Sequence, residues 1–327
     1  MNSKYILQLL QKIEKNKSIT KDDAFFVLGL EKFFLPDLFF VASSVRRKFF
    51  DNKIATCSII NAKSGKCSED CKYCAQSSHF NTKINTYNLK SREYILQKAV
   101  EENSISLRFS IVTSGKKPTK TELKEIGKAI ESFKSFGITQ KPCASLGLLS
   151  KDDLLSLKQK GLTRFHHNLE TSRRYFPNIC TTHSFEDKIN TIQNAKDVGL
   201  ELCVGGIFGM GETIEDRIDL LFEIKNVNPD AIPINFLNSM PGTPLEGIPS
   251  IETWEALKII TLARLILPNK FIKIGAGRLE VFKDNQSLPF LAGANGMIVG
   301  NLLTTKGRKP QEDLNLIESM GFVVNDF

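Results

Sequence analysis

A rhythm of short apolar runs, each followed by a helix-patterned stretch, sets the tightest limit on how this 327-residue chain can fold. The runs cover residues 54–61, 106–113, 140–145, 164–169, 201–206, 231–236, 271–275 and 294–300. Amphipathic stretches at 93–102, 120–136, 185–198, 214–225, 251–267 and 311–320 lie between or after them. Ser184 with Asp187, and Thr213 with Asp216, have the spacing of helix N-terminal caps. Repeated β–α units imply a parallel sheet, and eight of them close most simply as a (β/α)8 barrel of the TIM type. An open doubly wound sheet would carry a G-x-G-x-x-G turn after its first strand. None stands there, and Gly206-Ile-Phe-Gly209-Met-Gly211 follows the fifth run with a different spacing, that of a tight turn. Residues 1–50 read as an N-terminal helical extension, and 51–327 as one barrel domain.

Hydrophobic residues make up 41% and charged residues 24%, a balance that belongs to a soluble globular protein. The net charge of +8 is spread along the chain, and Lys116-Lys117 is too short to be a basic block. With no Arg-rich helix or aromatic stacking motif, the chain is not expected to bind nucleic acid. Ile6, Leu9, Leu10 and Ile13 have amphipathic spacing, but Lys4, Gln8, Lys12 and Glu14 interrupt any signal-peptide core. No apolar run reaches membrane-spanning length, so the expectation is a cytoplasmic protein. In that compartment seven cysteines read as metal ligands or reactive thiols rather than disulfides.

Three of them follow the first run as Cys67-Ser-Glu-Asp-Cys71-Lys-Tyr-Cys74. Clustered thiolates suit zinc or iron–sulfur centres. Structural zinc takes four protein ligands, whereas this loop offers three, with no fourth Cys or His close behind. A [4Fe–4S] cluster with one iron left open fits. Zinc completed by a distant residue such as His79 is the alternative.

The C-x3-C-x-Y-C loop resembles the signature of the radical S-adenosylmethionine superfamily. The resemblance implies that the open iron chelates S-adenosylmethionine, and that a reduced cluster cleaves it to a 5′-deoxyadenosyl radical. The longer stretch from Lys63 to Ser78 is similar to the biotin synthase family in particular. So are His167-Asn168-Leu-Glu170-Thr-Ser172, Gly205 to Thr213, Ile232-Pro-Ile-Asn235, Gly242-Thr-Pro-Leu245, Ala292-Gly-Ala-Asn295 and Leu303-Thr304-Thr305. The implied reaction inserts sulfur between two saturated carbons of dethiobiotin to give biotin. By motif position, Tyr73, Asn168 and Glu170 would bind S-adenosylmethionine. Asn168 and Asn235 would bind the ureido ring of dethiobiotin, and Thr304 and Thr305 its carboxylate. The family usually has Asp at the position of Glu170.

The same resemblance implies an auxiliary cluster inside the barrel, commonly [2Fe–2S] on three Cys and an Arg. Cys143 and Cys203 match two of those ligands, but Ser110 and Lys273 stand at the other two positions. Cys57 on the first strand and Cys180 after the fourth are spare thiols. Alternate barrel strands share an interior layer, so Cys57, Cys143, Cys203 and Lys273 can meet there. The expectation is an altered auxiliary cluster, [2Fe–2S] or larger, on Cys57, Cys143, Cys203 and Cys180, with small Ala231 and Gly296 leaving room. A flavodoxin or ferredoxin would supply electrons, and the family is usually homodimeric. Two other readings compete: another radical enzyme of similar barrel, such as a methylornithine synthase or a cofactor maturase, and a zinc-stabilised binding protein.

Overall fold

The computed structural model describes residues 2–325. The apolar runs form parallel strands β1 (Lys53–Lys63), β2 (Arg108–Thr113), β3 (Lys141–Ser145), β4 (Arg164–His166), β5 (Glu201–Cys203), β6 (Gly206–Phe208), β7 (Ala231–Phe236), β8 (Phe271–Ile274) and β9 (Gly296–Ile298). Each hydrogen-bonds its neighbour in parallel, and β9 returns to β1 with Ala55 opposite Gly296, closing the barrel. β5 and β6 both pair with β7 and are two halves of one stave, so the closed barrel has the eight staves the sequence rhythm implies.

The broken stave departs from the single run read at 201–206, and the cause is local. A Cβ on Gly205 would lie 1.9 Å from the Pro233 carbonyl oxygen, so only glycine allows this approach. The strand resumes at Gly206, and Gly209 and Gly211 then take positive φ in the turn that follows. The glycine-rich segment is therefore half strand and half turn.

Four of the barrel helices begin immediately after their loops because their starts are capped. Thr119 with Glu122, Ser150 with Asp153, Ser184 with Asp187, and Thr213 with Asp216 all form reciprocal capping boxes. These caps fix the βα loops at the strands' C-terminal ends, the face where barrels of this type place their sites.

Residues 2–50 form α1 (Asn2–Glu14), α2 (Lys21–Gly29) and α3 (Leu35–Phe50). Ile6, Leu9 and Ile13 are buried as their spacing implies, while Leu10 is only half-buried. α3 packs on α1 and on the helix Thr253–Ile266. That helix is consequently buried on nearly every side, including Arg264. The guanidinium survives burial by donating to the carbonyls of Gly293, Pro268 and Lys270 and to Asn295 Oδ1.

At the far end, Val323–Val324 (β10) pairs with Lys53 and Ile54 outside the barrel. The preceding helix, Pro310–Ser319, is pinned by Asp313, whose buried carboxylate pairs with buried Arg278. Removing one partner of a buried pair strands the other charge. Asp313→Ala should therefore destabilise the fold by about 3–5 kcal/mol, measured by denaturant unfolding. Among the described residues, no helix is long and apolar enough to cross a membrane.

Candidate active site

The loop after β1 carries Cys67, Cys71 and Cys74, and its backbone curls so that all three thiols border one cavity. Cys67 N–H donates to the Gln76 carbonyl and Ser78 N–H to that of Cys67, tying the two ends of the motif together. Cys74 N–H donates to Cys71 C=O at 2.9 Å, which makes the tight turn between the last two cysteines. The cavity has a volume of about 400 Å³ and runs from this loop to the barrel floor. Burial raises the thiols of Cys67 and Cys74, the latter to about 11. Three thiols from one loop, facing a shared space and with no fourth thiol of the motif, suit a cluster with one open iron. His79 does not complete a shell with them: its exposed ring places Nε2 2.9 Å from the Ser68 carbonyl oxygen.

The wall carries the residues expected to meet the donor and the substrate. Tyr73, Asn168, Glu170, Asn235, Thr304 and Thr305 all line the cavity. Glu170 sits at φ +70°, a left-handed conformation costly for a glutamate, held by the bridge between its backbone and Gly206. Asn168 accepts from Gly205 N–H through Oδ1 and donates to Glu170 Oε2 through Nδ2. Asn235 accepts from Ala276 N–H and donates to the Gly206 carbonyl. Each amide thus straps backbone, as strand-end asparagines commonly do. An amide has two donor hydrogens and two lone pairs, so one of each remains on both side chains. Tyr73 is half-buried, and the burial of its hydroxyl together with the Glu170 carboxylate raises that hydroxyl well above the usual range.

Two wall residues have no role that the sequence alone assigns. Lys188 is buried on the helix Phe185–Asp197 and lines the cavity, its Nζ donating to the Asn168 carbonyl. It carries no motif of its own, so only the fold reveals it. His167 is buried in the wall with Nε2 lacking a partner among the described residues, and burial holds it well below the usual imidazole range. Neutral His167 and the similarly orphaned Thr113 Oγ1 are polar atoms that a bound ligand would satisfy.

The floor gathers Cys57, Ser110, Cys143, Cys203 and Lys273 from β1, β2, β3, β5 and β8. Lys273 Nζ lies 3.4 Å from Cys57 Sγ, and His166 Nδ1 lies 3.3 Å from Cys203 Sγ. Burial would raise the Cys203 thiol, but Lys273, His166 and Arg164 outweigh it and bring it down to about 6. Burial wins at Cys143, pushing it up to about 11 despite Arg164 and Arg108. Lys273 itself is raised: burial works against its charge, but Cys203 and Cys57 more than offset it. The floor is therefore a cationic well around three thiols.

Two expectations are corrected. Cys180 does not approach the floor. Its sulfur lies 3.7 Å from Cys71 Sγ at the mouth, and the shared hydrogen bond raises the Cys71 thiol and lowers that of Cys180. The reason is the 3-10 turn Phe176–Asn178, which carries the following loop over the cysteine motif so that Ile179 C=O accepts from Lys72 N–H. Nor does Gly296 leave vacant space, because a Cβ there would meet Lys273 Cγ at 2.7 Å. The glycine makes way for the lysine stem.

A parallel barrel whose first loop presents this cysteine triad into the central cavity is a radical S-adenosylmethionine fold, and residues 62–224 match the model of the radical SAM superfamily. Residues 233–323 match that of the biotin and thiamin synthesis associated domain. The chain belongs to the biotin synthase family. It is 50% identical over 289 residues to biotin synthase of Thermodesulfovibrio yellowstonii, covering 88% of this chain and 90% of that protein. It is 49% identical to biotin synthase of Methanococcus vannielii, covering 93% of each. Among solved structures, a methylornithine synthase superposes with a TM-score of 0.86 over 97% of both chains at 23% identity, which speaks for the fold alone.

Proposed function

We propose that this chain makes biotin by inserting sulfur into dethiobiotin, with two iron–sulfur sites at opposite ends of one cavity. The observation that carries the reading is that Cys67, Cys71 and Cys74 at the mouth and Cys57, Cys143 and Cys203 on the floor border the same enclosed space. A methylornithine synthase or a maturase of similar barrel has no evident need for that second set.

Cys67, Cys71 and Cys74 would hold the [4Fe–4S] cluster, which supplies the electron that cleaves bound S-adenosylmethionine. Every other part of the work falls to side chains. Lys188 offers a buried ammonium for the donor's carboxylate, and Glu170 with Asn168 offers acceptors and a donor for its ribose hydroxyls. Tyr73 closes the space behind them and keeps water out. The unused donors and acceptors of Asn168 and Asn235 suit a cyclic urea, which presents both N–H and C=O. Thr304 and Thr305, on the segment whose Leu303 carbonyl accepts from Asn61, suit the carboxylate tail. So arranged, the substrate's saturated carbons lie between the donor and the floor.

On the floor, Cys57, Cys143 and Cys203 would hold the sulfur-supplying cluster, with Lys273 close by to balance its negative charge. Ser110 pairs in register with Cys143, yet offers a hard hydroxyl where iron–sulfur centres take thiolate. Cys57 therefore replaces it as third thiolate, and the ligand set of this centre, [2Fe–2S] or larger, differs from the common one of three Cys and an Arg.

A net charge of +8 supports an acidic flavodoxin or ferredoxin as electron donor. Exposed Phe33 and Phe40, 82% and 55% accessible on the N-terminal extension, support a homodimer. Oxygen-sensitive centres and seven free thiols support a cytoplasmic location.

Two measurements test this reading. Anaerobically reconstituted chain given dithionite, S-adenosylmethionine and dethiobiotin should yield biotin and 5′-deoxyadenosine; 5′-deoxyadenosine without a sulfur-containing product would refute the assignment. Lys188→Met should weaken S-adenosylmethionine binding by roughly 10–100-fold, the cost of about 1.5–3 kcal/mol for one charge-assisted hydrogen bond. Its effect on KM for dethiobiotin should be small.

A further inference from the structure

The mouth of the barrel holds a set of donors that the reaction does not use. Cys180, His183, Glu69 and Asp70 gather around Cys71. Cys71 Sγ and Cys180 Sγ are 3.7 Å apart, and Cys180 Sγ is 3.2 Å from His183 Nδ1. His183 Nδ1 is 2.7 Å from Glu69 Oε2. The ligand atoms of Cys71, Cys180 and His183 all lie within 4.8 Å of one another. Cys180 is buried and His183 nearly so, its side chain 6% exposed, and Phe176 stacks edge-on against the imidazole.

These separations have the size of a coordination shell. Metal–sulfur bonds of about 2.3 Å and metal–nitrogen bonds of about 2.0 Å at tetrahedral angles put two sulfurs ~3.8 Å apart and sulfur and nitrogen ~3.6 Å apart. The observed 3.7 Å and 3.2 Å need only small adjustment. Asp70 accepts from the backbone N–H groups of Thr181 and Thr182 and also from the Cys180 thiol at 3.2 Å, a bond that ends when that thiol gives up its proton to a metal. Glu69 Oε2 faces His183 Nδ1 and also accepts from Thr182 Oγ1 at 2.9 Å; once the proton shared with His183 leaves, its remaining lone pair turns to a metal. Two thiolates, an imidazole and a carboxylate make a soft-to-borderline set that suits zinc or ferrous iron and not calcium or magnesium.

We propose that, in the chain that lacks its cluster, Cys71, Cys180, His183 and Glu69 form a mononuclear site for a soft divalent cation. Binding releases the thiol protons and the His183 Nδ1 proton to solvent; no electron moves. The site and the [4Fe–4S] cluster exclude each other because both claim Cys71. Ferrous iron held there is delivered beside Cys67 and Cys74 and becomes the first iron of the cluster, whereas zinc held there blocks its assembly. The exclusion rests on the assignment of Cys71 to the cluster; the shell itself does not.

The test starts from full-length chain stripped of iron anaerobically, in a Cys57→Ala/Cys143→Ala/Cys203→Ala background that removes the floor thiols. Cobalt(II) should bind with the thiolate charge-transfer and d–d bands of a tetrahedral site. Cys180→Ser and His183→Gln should each weaken that binding at least tenfold. X-ray absorption of the zinc-loaded parent should give two sulfurs and two nitrogen or oxygen neighbours, a readout that needs no further variant to fold. Two arms separate the cations. If ferrous iron uses the site, preloading with Fe(II) speeds growth of the cluster absorption on adding sulfide, and does so more in the parent than in Cys180→Ser. If zinc uses it, preloading with Zn(II) slows that growth in the parent but not in Cys180→Ser. A three-sulfur shell, or equal cobalt affinity in all the chains, would overturn the proposal. Because Cys180→Ser and His183→Gln keep Cys67, Cys71 and Cys74, cluster formation in them reports separately on the functional reading.

Discussion

Cys71→Ala should abolish S-adenosylmethionine cleavage, reducing 5′-deoxyadenosine formation by on the order of 10⁴-fold or more, to the detection floor. The size of the effect follows from the reaction's difficulty. Saturated C–H bonds are not activated by any acid or base in this cavity, so nothing in the protein substitutes for the missing electron source. Cys71 is also the motif member tied to the loop above it, in contact with Cys180 and followed by Lys72, whose N–H joins the motif to Ile179. Its loss should be read against two controls. Far-ultraviolet circular dichroism should be unchanged, since the barrel core does not depend on this half-buried side chain. Cys180→Ala should retain cleavage, because Cys180 lies outside the triad proposed to hold the cluster. Anaerobic quantitation of 5′-deoxyadenosine by chromatography is the check, and substantial cleavage by Cys71→Ala would contradict the assignment.

Cys57→Ser should separate the two halves of the reaction. The mouth remains intact, so S-adenosylmethionine is still cleaved on reduction. The floor loses a thiolate, and a hydroxyl is a poor replacement at an iron–sulfur centre. Iron and acid-labile sulfide per chain should both fall, and biotin formation should drop by about 100-fold or more, at least the upper end of the loss seen when only a supporting contact of a metal site is removed. Ser110→Ala supplies the contrast. If the common ligand positions were in use, it would matter as much as Cys57→Ser. With Cys57 as the third thiolate, Ser110→Ala should leave iron content and biotin yield within about twofold, a change of no more than about 0.4 kcal/mol. Lys273 adjoins Cys57, its Nζ reaching Cys57 Sγ over the glycine at position 296.

Much of this arrangement is legible in the chain before folding, and the exceptions have identifiable causes. The barrel is legible because apolar runs and amphipathic stretches alternate with little interruption from residue 54 onward, and two of the capping boxes are visible as spacings. The divided fifth stave is not, because the break comes from the approach of the Pro233 carbonyl to Gly205, a contact between distant segments. The cysteine triad is a local motif and reads directly. The floor is assembled from five strands, so only the barrel's layer geometry hints that Cys57, Cys143, Cys203 and Lys273 meet. That same geometry says nothing about a loop residue such as Cys180, whose position at the mouth is set by the turn after β4 and the tie to Lys72. Lys188 and His167 lack motifs and are identified only by burial and by the cavity they face.

If two distinct iron–sulfur centres share one cavity, Mössbauer spectroscopy of anaerobically purified, iron-57-enriched chain resolves them. Two sets of signals are expected, of which one responds to S-adenosylmethionine through its open iron and disappears in Cys71→Ala, while the other ignores the donor and is lost in Cys57→Ser. A single iron–sulfur species, unaffected by Cys57→Ser, would contradict the presence of two centres.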